Sequence, residues 1–444
     1  MFRIKQWIKM LLQNIVLPLV YFFYSRRPVE PGLVIFADAH HEEIPFSMRR
    51  MYDEVRQNGT AAKRDADGIV MTGREADARD GSVMAGREVD ARDGSVMTGR
   101  EADARDGSIM TGEEADAHNC SGSYRIELFV TDFDRLSFGR MAKYLLRFMR
   151  RYAAAEYVFI CDYFLPVSSC RKRPETKVVQ LWHSCGLTKK IAYDADEDIP
   201  KGYHGDMFGN YSYLTMSADA CVPVHERALR LSREHIFATG ISRTDYYFDE
   251  KWNERCRENF RKAHPEAEGR RIAVWAPTFR GNAAAPRLEG LDIIRRAAEE
   301  LKDEWYFVIK AHPHIDRHGM VSTSRIPTEE LFPVADVLIT DYSSVLFDYL
   351  LYRRPVILFA PDLQEYEQAR GFYIDYRSIP YPLTRTREEL EAVIGGIAGN
   401  GCADHGKQDW YAAHAAEIDA FRETYVGACD GHATERILKL VGLQ

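Results

Sequence analysis

Residues 337–359 read VLITDYSSVLFDYLLYRRPVILF. An apolar run of four, Val337 to Thr340, ends in a polar turn, Asp341-Tyr342-Ser343-Ser344. A helical pattern from Ser344 to Tyr352 follows, then Pro355 and a second apolar run, Val356 to Phe359. Short, wholly apolar strands separated by a helix require a parallel sheet covered on both faces. Working outward, strands are predicted at Ile272–Trp275 and Trp305–Ile309, with helices at Leu291–Leu301, Arg387–Ile397, Gln408–Tyr425 and Thr434–Leu440. The N-terminal half repeats the alternation. Strands are expected at Gly32–Phe36, Tyr124–Val130, Tyr157–Ile160 and Lys177–Leu181, and helices at Phe46–Gln57 and Phe138–Tyr152. The fold class is therefore α/β, with two doubly wound Rossmann-like domains facing a cleft. The expected division is 1–31, an N-terminal segment; 32–250, the first α/β domain; 251–430, the second; and 431–444, a final helix.

The 444 residues carry 59 Lys+Arg against 67 Asp+Glu, a formal charge of −8. Between Arg64 and Asp116 there are 14 acidic residues and 7 arginines, so that stretch holds −7 and the remainder about −1. A generally basic nucleic-acid binder is excluded. The eight cysteines include no CxxC pair, which speaks against a zinc ribbon or disulfide framework and for a reducing compartment. The acidic stretch is a repeat of period 13, marked by Gly68, Gly81, Gly94 and Gly107. Each unit has only two or three apolar residues, too few to bury a core, so residues 64–120 read as a solvated, disordered insert rather than a small repeat stack or interaction surface.

Met1 to Arg27 holds Arg3, Lys5, Lys9, Arg26 and Arg27 and no acidic residue, around an apolar stretch broken by Gln13, Asn14 and Pro18. A spanning helix needs about 20 apolar residues, and a cleaved signal ends in small ones. The segment reads best as a basic, apolar anchor at the membrane interface, ahead of a tilted span or a core-packed first helix. The basic helix Phe138–Arg151 could lie on the same surface, or simply cover the sheet.

Ligands of open α/β sheets bind beyond the C-terminal strand ends. At one such end stand Trp182, His183, Ser184, Cys185, Gly186, Leu187, Thr188, Lys189 and Lys190. His183 is placed there to reach a substrate, the bland alternative being a hydrogen-bonded structural histidine. At a second, Lys310 and His312 leave the strand on one side before Pro313 turns the chain. At a third, Asp341, Ser343, Ser344 and Asp348 surround a helix start, which makes either an anion site or a plain N-cap. Thr278 and Arg280 follow a fourth strand. Together these residues describe a cleft for a phosphate or pyrophosphate. No GxxxxGK[ST], no GxGxxG after a first strand, no GxSxG and no metal-ligand cluster is present.

With QLWHSCGLTKK, WAPTFRGN, VIKAHPH, the DYSS segment and YEQARGFYIDY, the stretch Val178 to Arg377 resembles the CDP-glycerol glycerophosphotransferase family of teichoic-acid polymerases and primases. It departs at His183, where Ser184 and Cys185 intervene before Gly186. The resemblance implies a GT-B-like fold and transfer of a polyol phosphate, glycerol phosphate first, from a CDP-polyol to a hydroxyl of an undecaprenyl-linked glycopolymer, releasing CMP. In that scheme His183 is the general base, and His312, Lys310 and Arg280 neutralise charge. Ser343 and Ser344 hold the pyrophosphate, Asp341 orients their turn, and Gly186, Lys189, Thr278 and Asp348 belong to the substrate site. No cofactor is called for, a divalent metal being left open. The implied location is the cytoplasmic face of the cell membrane, with the lipid leaflet as a partner and no nucleic acid. A GT-B glycosyltransferase using a nucleotide sugar is the alternative enzyme, resting on Glu365 and Glu367. A membrane-attached assembly protein with a vestigial cleft is the non-enzyme one.

Overall fold

The computed structural model describes residues 11–67, 124–195, 199, 205–280, 287–311, 321–397 and 410–443. Met1–Asn58 and Tyr124–Gln444 form one compact unit. Gly59–Ser123 is the second unit, described only up to Asp67, so the expected repeat insert lies outside the described residues from Gly68 onward.

Two all-parallel sheets organise the main unit. The first comprises β1 (Glu30–Asp38), β2 (Arg125–Val130), β3 (Ala155–Ile160), β4 (Lys177–Gln180), β5 (Tyr213–Thr215) and β6 (Ile236–Phe237), in the order β2-β1-β3-β4-β5-β6. The second comprises β7 (Arg271–Trp275), β8 (Trp305–Ile309), β9 (Val337–Thr340), β10 (Val356–Phe359) and β11 (Leu383–Thr384), in the order β11-β10-β9-β7-β8. Counted from its own first strand, each sheet starts in the middle, adds one neighbour on one side and the rest on the other. The strand order thus reverses between β1 and β3 and between β7 and β9, the switch points where open sheets bind ligands.

Both faces of each sheet are covered, as the apolar runs required. In β1, Val34 and Phe36 join Met48, Met51 and Val55 on one side, while Leu33, Ile35 and Ala37 enter the larger core on the other. In β9, Leu338 and Ile339 likewise belong to opposite cores, the two-residue period of a strand. The larger core takes side chains from both sheets.

The chain's last helix, Ala433–Val441, covers the first sheet and not the second, with Ile437, Leu438 and Val441 against the same core as Val34 and Phe36. Its free N-terminal amides are capped by Asp245, whose carboxylate accepts from Ala433 N at 3.0 Å and Thr434 N at 2.8 Å. Lys177 Nζ donates to Val441 O at the other end.

At the N-terminus, a π-turn at Leu12–Val16 runs into a helix, Leu17–Tyr24. Leu17 and Tyr21 are buried, and Tyr21 packs on Tyr152 of the helix Phe138–Tyr152 with ring centroids 5.0 Å apart. No helix among the described residues is long and apolar enough to cross a membrane.

Candidate functional site

The first half of the site grows from β4. Gln180, fully buried at its end, donates to Asp162 O (3.1 Å) and Tyr211 OH (3.2 Å) and accepts from Trp182 N (3.1 Å). The chain then turns sharply. Trp182 has φ 58°, a left-handed conformation costly for a bulky residue and most often met at functional sites. His183 stacks on the Trp182 ring (centroids 5.3 Å apart, 25°), and its Nδ1 lies 3.3 Å from Cys161 O. A carbonyl only accepts, so Nδ1 carries the hydrogen and Nε2 of the neutral ring keeps its lone pair. The side chain is 47% exposed, with Asp162 Oδ1 at 3.8 Å from Nδ1.

Cys185 and Gly186 tie this loop to the second half. Cys185 is buried, its Sγ 3.5 Å from Asp348 Oδ1. Gly186 has φ +64°, and a Cβ there would stand 2.2 Å from the Phe347 ring, so only glycine fits. Its N–H donates to Ser217 Oγ (2.8 Å), which in turn donates to Tyr425 O (2.7 Å). A second tie is antiparallel. Tyr373 N donates to Thr188 O (2.8 Å), Lys190 N to Gly371 O (3.2 Å) and Arg370 Nε to Lys190 O (2.9 Å).

From the second half, β9 delivers Asp341 and the Ser343-Ser344 turn ahead of the short helix Val345–Tyr349. Ser343, Ser344 and Tyr342 face the His183–Lys189 loop across a cavity of about 530 Å³, with Arg370 and Tyr373 completing that wall. Among the expected site residues, His183, Gly186, Lys189, Ser343 and Ser344 thus line one cavity.

The other expected residues lie elsewhere. Arg280 is 9% exposed and forms a fork on Asp362 (2.5 and 2.8 Å), while its Nη2 also reaches Asp341 Oδ2 at 2.9 Å. Its guanidinium is stacked against Tyr342 and Tyr366, 4.7 and 4.8 Å from the ring centroids. Asp341 also accepts from Thr278 N at 2.7 Å. Burial raises the Asp341 carboxyl, and the Arg280 charge works against that. Arg280, Asp341 and Thr278 therefore brace the turn from behind instead of lining the cavity. Asp348 is likewise internal, 2.7 Å from Arg243 Nη2. Lys310 Nζ donates to Ser324 O at 2.9 Å. His312 lies outside the described residues.

Sequence reasoning missed Arg370 and Asp162, both in the cavity wall. Arg370 and Lys189 are cationic residues of that wall, where Arg280 was expected. Asp162 stands just past β3, the kind of strand end that singled out His183. His225, also in the wall, is almost fully buried with Nδ1 donating to Cys221 O at 2.8 Å.

The sequence model of CDP-Glycerol:Poly(glycerophosphate) glycerophosphotransferase matches residues 129–443. The chain belongs to this family. The transferase is 30% identical over 338 residues to the teichoic acid ribitol-phosphate primase of Bacillus spizizenii, covering 72% of this chain and 83% of that one. It is 29% identical to the teichoic acid glycerol-phosphate primase of Bacillus subtilis, over 50% of this chain and 60% of that one. In fold, the transferase is similar to the wall teichoic acid polymerase TagF, with a TM-score of 0.65 at 18% identity, covering 100% of this chain and 98% of that one. Transfer of a polyol phosphate from a CDP-polyol is the activity of this family, and the nucleotide-sugar alternative falls away.

Proposed function

We propose that the transferase moves a polyol phosphate, glycerol phosphate first, from its CDP-polyol to a hydroxyl of a lipid-linked cell-wall or capsule glycopolymer at the membrane surface, with release of CMP. The observation that carries this reading is the cavity in which the His183 loop of one sheet faces the Ser343-Ser344 turn of the other. The Nε2 lone pair of His183 takes the proton of the acceptor hydroxyl. The hydroxyl oxygen attacks the phosphorus bearing the polyol, the bridging P–O bond breaks, and CMP leaves with the bridging oxygen. Ser343, Ser344 and the adjoining amides hold the pyrophosphate, and Lys189 and Arg370 stand in the wall to offset its charge. To His312 and Lys310 this reading assigns neutralisation of charge on the transferring phosphoryl group and the leaving CMP, and to Asp341, Thr278 and Arg280 the bracing of the turn. Asp348, through Cys185, does the same for the His183 loop. A structure of a TagF variant soaked with CDPG supports a CDP-polyol as donor.

The membrane part of the reading rests on exposed apolar side chains. Leu19, Phe22 and Phe23 of the N-terminal helix are 62, 60 and 62% exposed, and Phe138 of the neighbouring helix is 60% exposed. Arg26 sits over the Phe22 ring at 4.6 Å, and Arg150 over Tyr24 at 6.0 Å. Apolar side chains rimmed by arginine suit an anionic headgroup layer, where this face would lie at the cytoplasmic leaflet.

The test is CMP release from CDP-glycerol and from CDP-ribitol with a membrane fraction as acceptor, for wild type and His183→Ala. CMP from one donor, reduced at least about 100-fold in the variant, is expected of a general base. An unchanged rate in the variant would remove His183 from the mechanism, and CMP from neither donor would refute the reading.

A further inference from the structure

His183 is not the only histidine anchored in this way at the first sheet's switch point. Asp38 ends β1, and β1 and β3 pair with Ile35 beside Val158 and Phe36 beside Phe159, so Asp38 stands level with Cys161. The Asp38 side chain is buried, and its Oδ2 accepts from His40 N (2.8 Å), His41 N (2.9 Å) and His41 Nδ1 (2.9 Å). Cys161 joins the two histidines, its Sγ 3.9 Å from Asp38 Oδ1 and its carbonyl on His183 Nδ1. Both rings are therefore held through Nδ1 on adjacent strand ends, and both are half-exposed, His41 at 55% and His183 at 47%. In each ring Nε2 is the nitrogen left for a ligand.

We propose that His41 and Asp162 form, beside His183, a subsite for the vicinal hydroxyls of the acceptor's terminal polyol or sugar. The choice of a hydroxyl over a phosphate follows from the groups present. Asp162 in the cavity wall only accepts hydrogen bonds and repels an anion. Asp38, Asp162 and Asp132 all act on His41, and nearby Arg135 pairs with Asp132 (3.3 Å) and Glu42 (2.7 Å), so no surplus of positive charge awaits a phosphate. His41 Nε2 accepts when the ring is neutral and donates when it is charged. A hydroxyl satisfies either state, since it both donates and accepts. A diol next to the attacking hydroxyl would thus be read by Asp162 and His41 while His183 takes the reacting proton.

This inference rests on the transfer reading above, and its test separates the two. Synthetic lipid acceptors ending in glycerol phosphate or in propane-1,3-diol phosphate differ only by the neighbouring hydroxyl. Wild type is expected to favour the glycerol-ended acceptor about 10- to 100-fold in kcat/KM, as for a lost hydrogen bond to a charged group. His41→Ala should bring that preference to within about 3-fold, leaving the rate on the propanediol-ended acceptor and the KM for the CDP-polyol unchanged. Equal losses on both acceptors, or an undiminished preference, would overturn the subsite. Should His41→Ala fail to fold, Asp38→Asn, which keeps the shape but loosens the ring, must show the same selective loss. If wild type releases no CMP from any donor, the transfer reading fails. The subsite is then judged by imidazole NMR. Shifts of the His41 signals with glycerol and not with propane-1,3-diol uphold it, and equal responses refute it.

Discussion

His225 lies behind the His183 loop, edge-on to Trp182 at 5.4 Å, and burial pushes its imidazole down to about 4. The unfolded chain takes up this proton near pH 6.5, the folded chain only near 4, so between those values the unfolded state binds more protons. Stability from this residue is complete above about pH 6.5 and falls as the pH drops toward 4, by roughly 3 kcal/mol in all. Urea midpoints from pH 7 to 4 should fall more steeply for wild type than for His225→Gln, and parallel curves would show that the ring is not held neutral. At this scale the sequence was legible where chemistry follows from position along the chain. His183, Lys189, Ser343 and Ser344, singled out because strand ends in open sheets bind ligands, line one cavity. Arg280 was read by its type, but its partner Asp362 lies 82 residues on and is brought to it only by the packing of the second sheet. Asp38 and His41 carried no signal beyond their place after an apolar run.

The short helix Val345–Tyr349 connects the two halves of the site, because Phe347 fills the space left by Gly186 and Asp348 holds both Cys185 and Arg243. Removing one member of a buried ion pair leaves an uncompensated charge and costs about 3–5 kcal/mol. Arg243→Met should therefore lower stability by that order in urea denaturation, and Arg243→Met with Asp348→Leu should recover much of the loss. A double variant no better than the single would mean that the charges themselves are needed. Strands were legible where they carried an apolar run of at least four residues. The apolar runs within β7, β8, β3 and β10, four or five residues each, stood out in the sequence. β5 and β6, three and two residues long, are too short to show a period. The helix Glu250–Ala263 was passed over although Asp249 announces it, accepting from Lys251 N at 3.0 Å and Trp252 N at 3.3 Å.

For the molecule as a whole, the N-terminal helix has two unlike faces. Its inner face is packed on the helix Phe138–Tyr152, while its outer face keeps Leu19, Phe22 and Phe23 exposed. Replacing Leu19 and Phe23 by Glu should abolish sedimentation with anionic phosphatidylglycerol vesicles while leaving the thermal midpoint within about 2 °C, since exposed sites contribute little to folding. Unchanged sedimentation would place membrane contact elsewhere. Alternating strands and helices made the two-sheet architecture legible, whereas the side on which the last helix packs was not, because an amphipathic pattern shows that a face is buried and not against what.

That last helix also sets an order of events during synthesis. Val34, Phe36, Met48 and Met51 leave the ribosome long before part of their cover, Ile437, Leu438 and Val441, is made. The first half therefore waits with an open apolar face until that helix emerges, a state that chaperones bind and that aggregates when crowded. A chain ended at residue 430 should be insoluble or protease-sensitive even though every cavity-lining residue is present, and adding a peptide of residues 431–443 should restore its resistance to proteolysis. A truncated chain as resistant as the full one would show that the first half closes without its final piece.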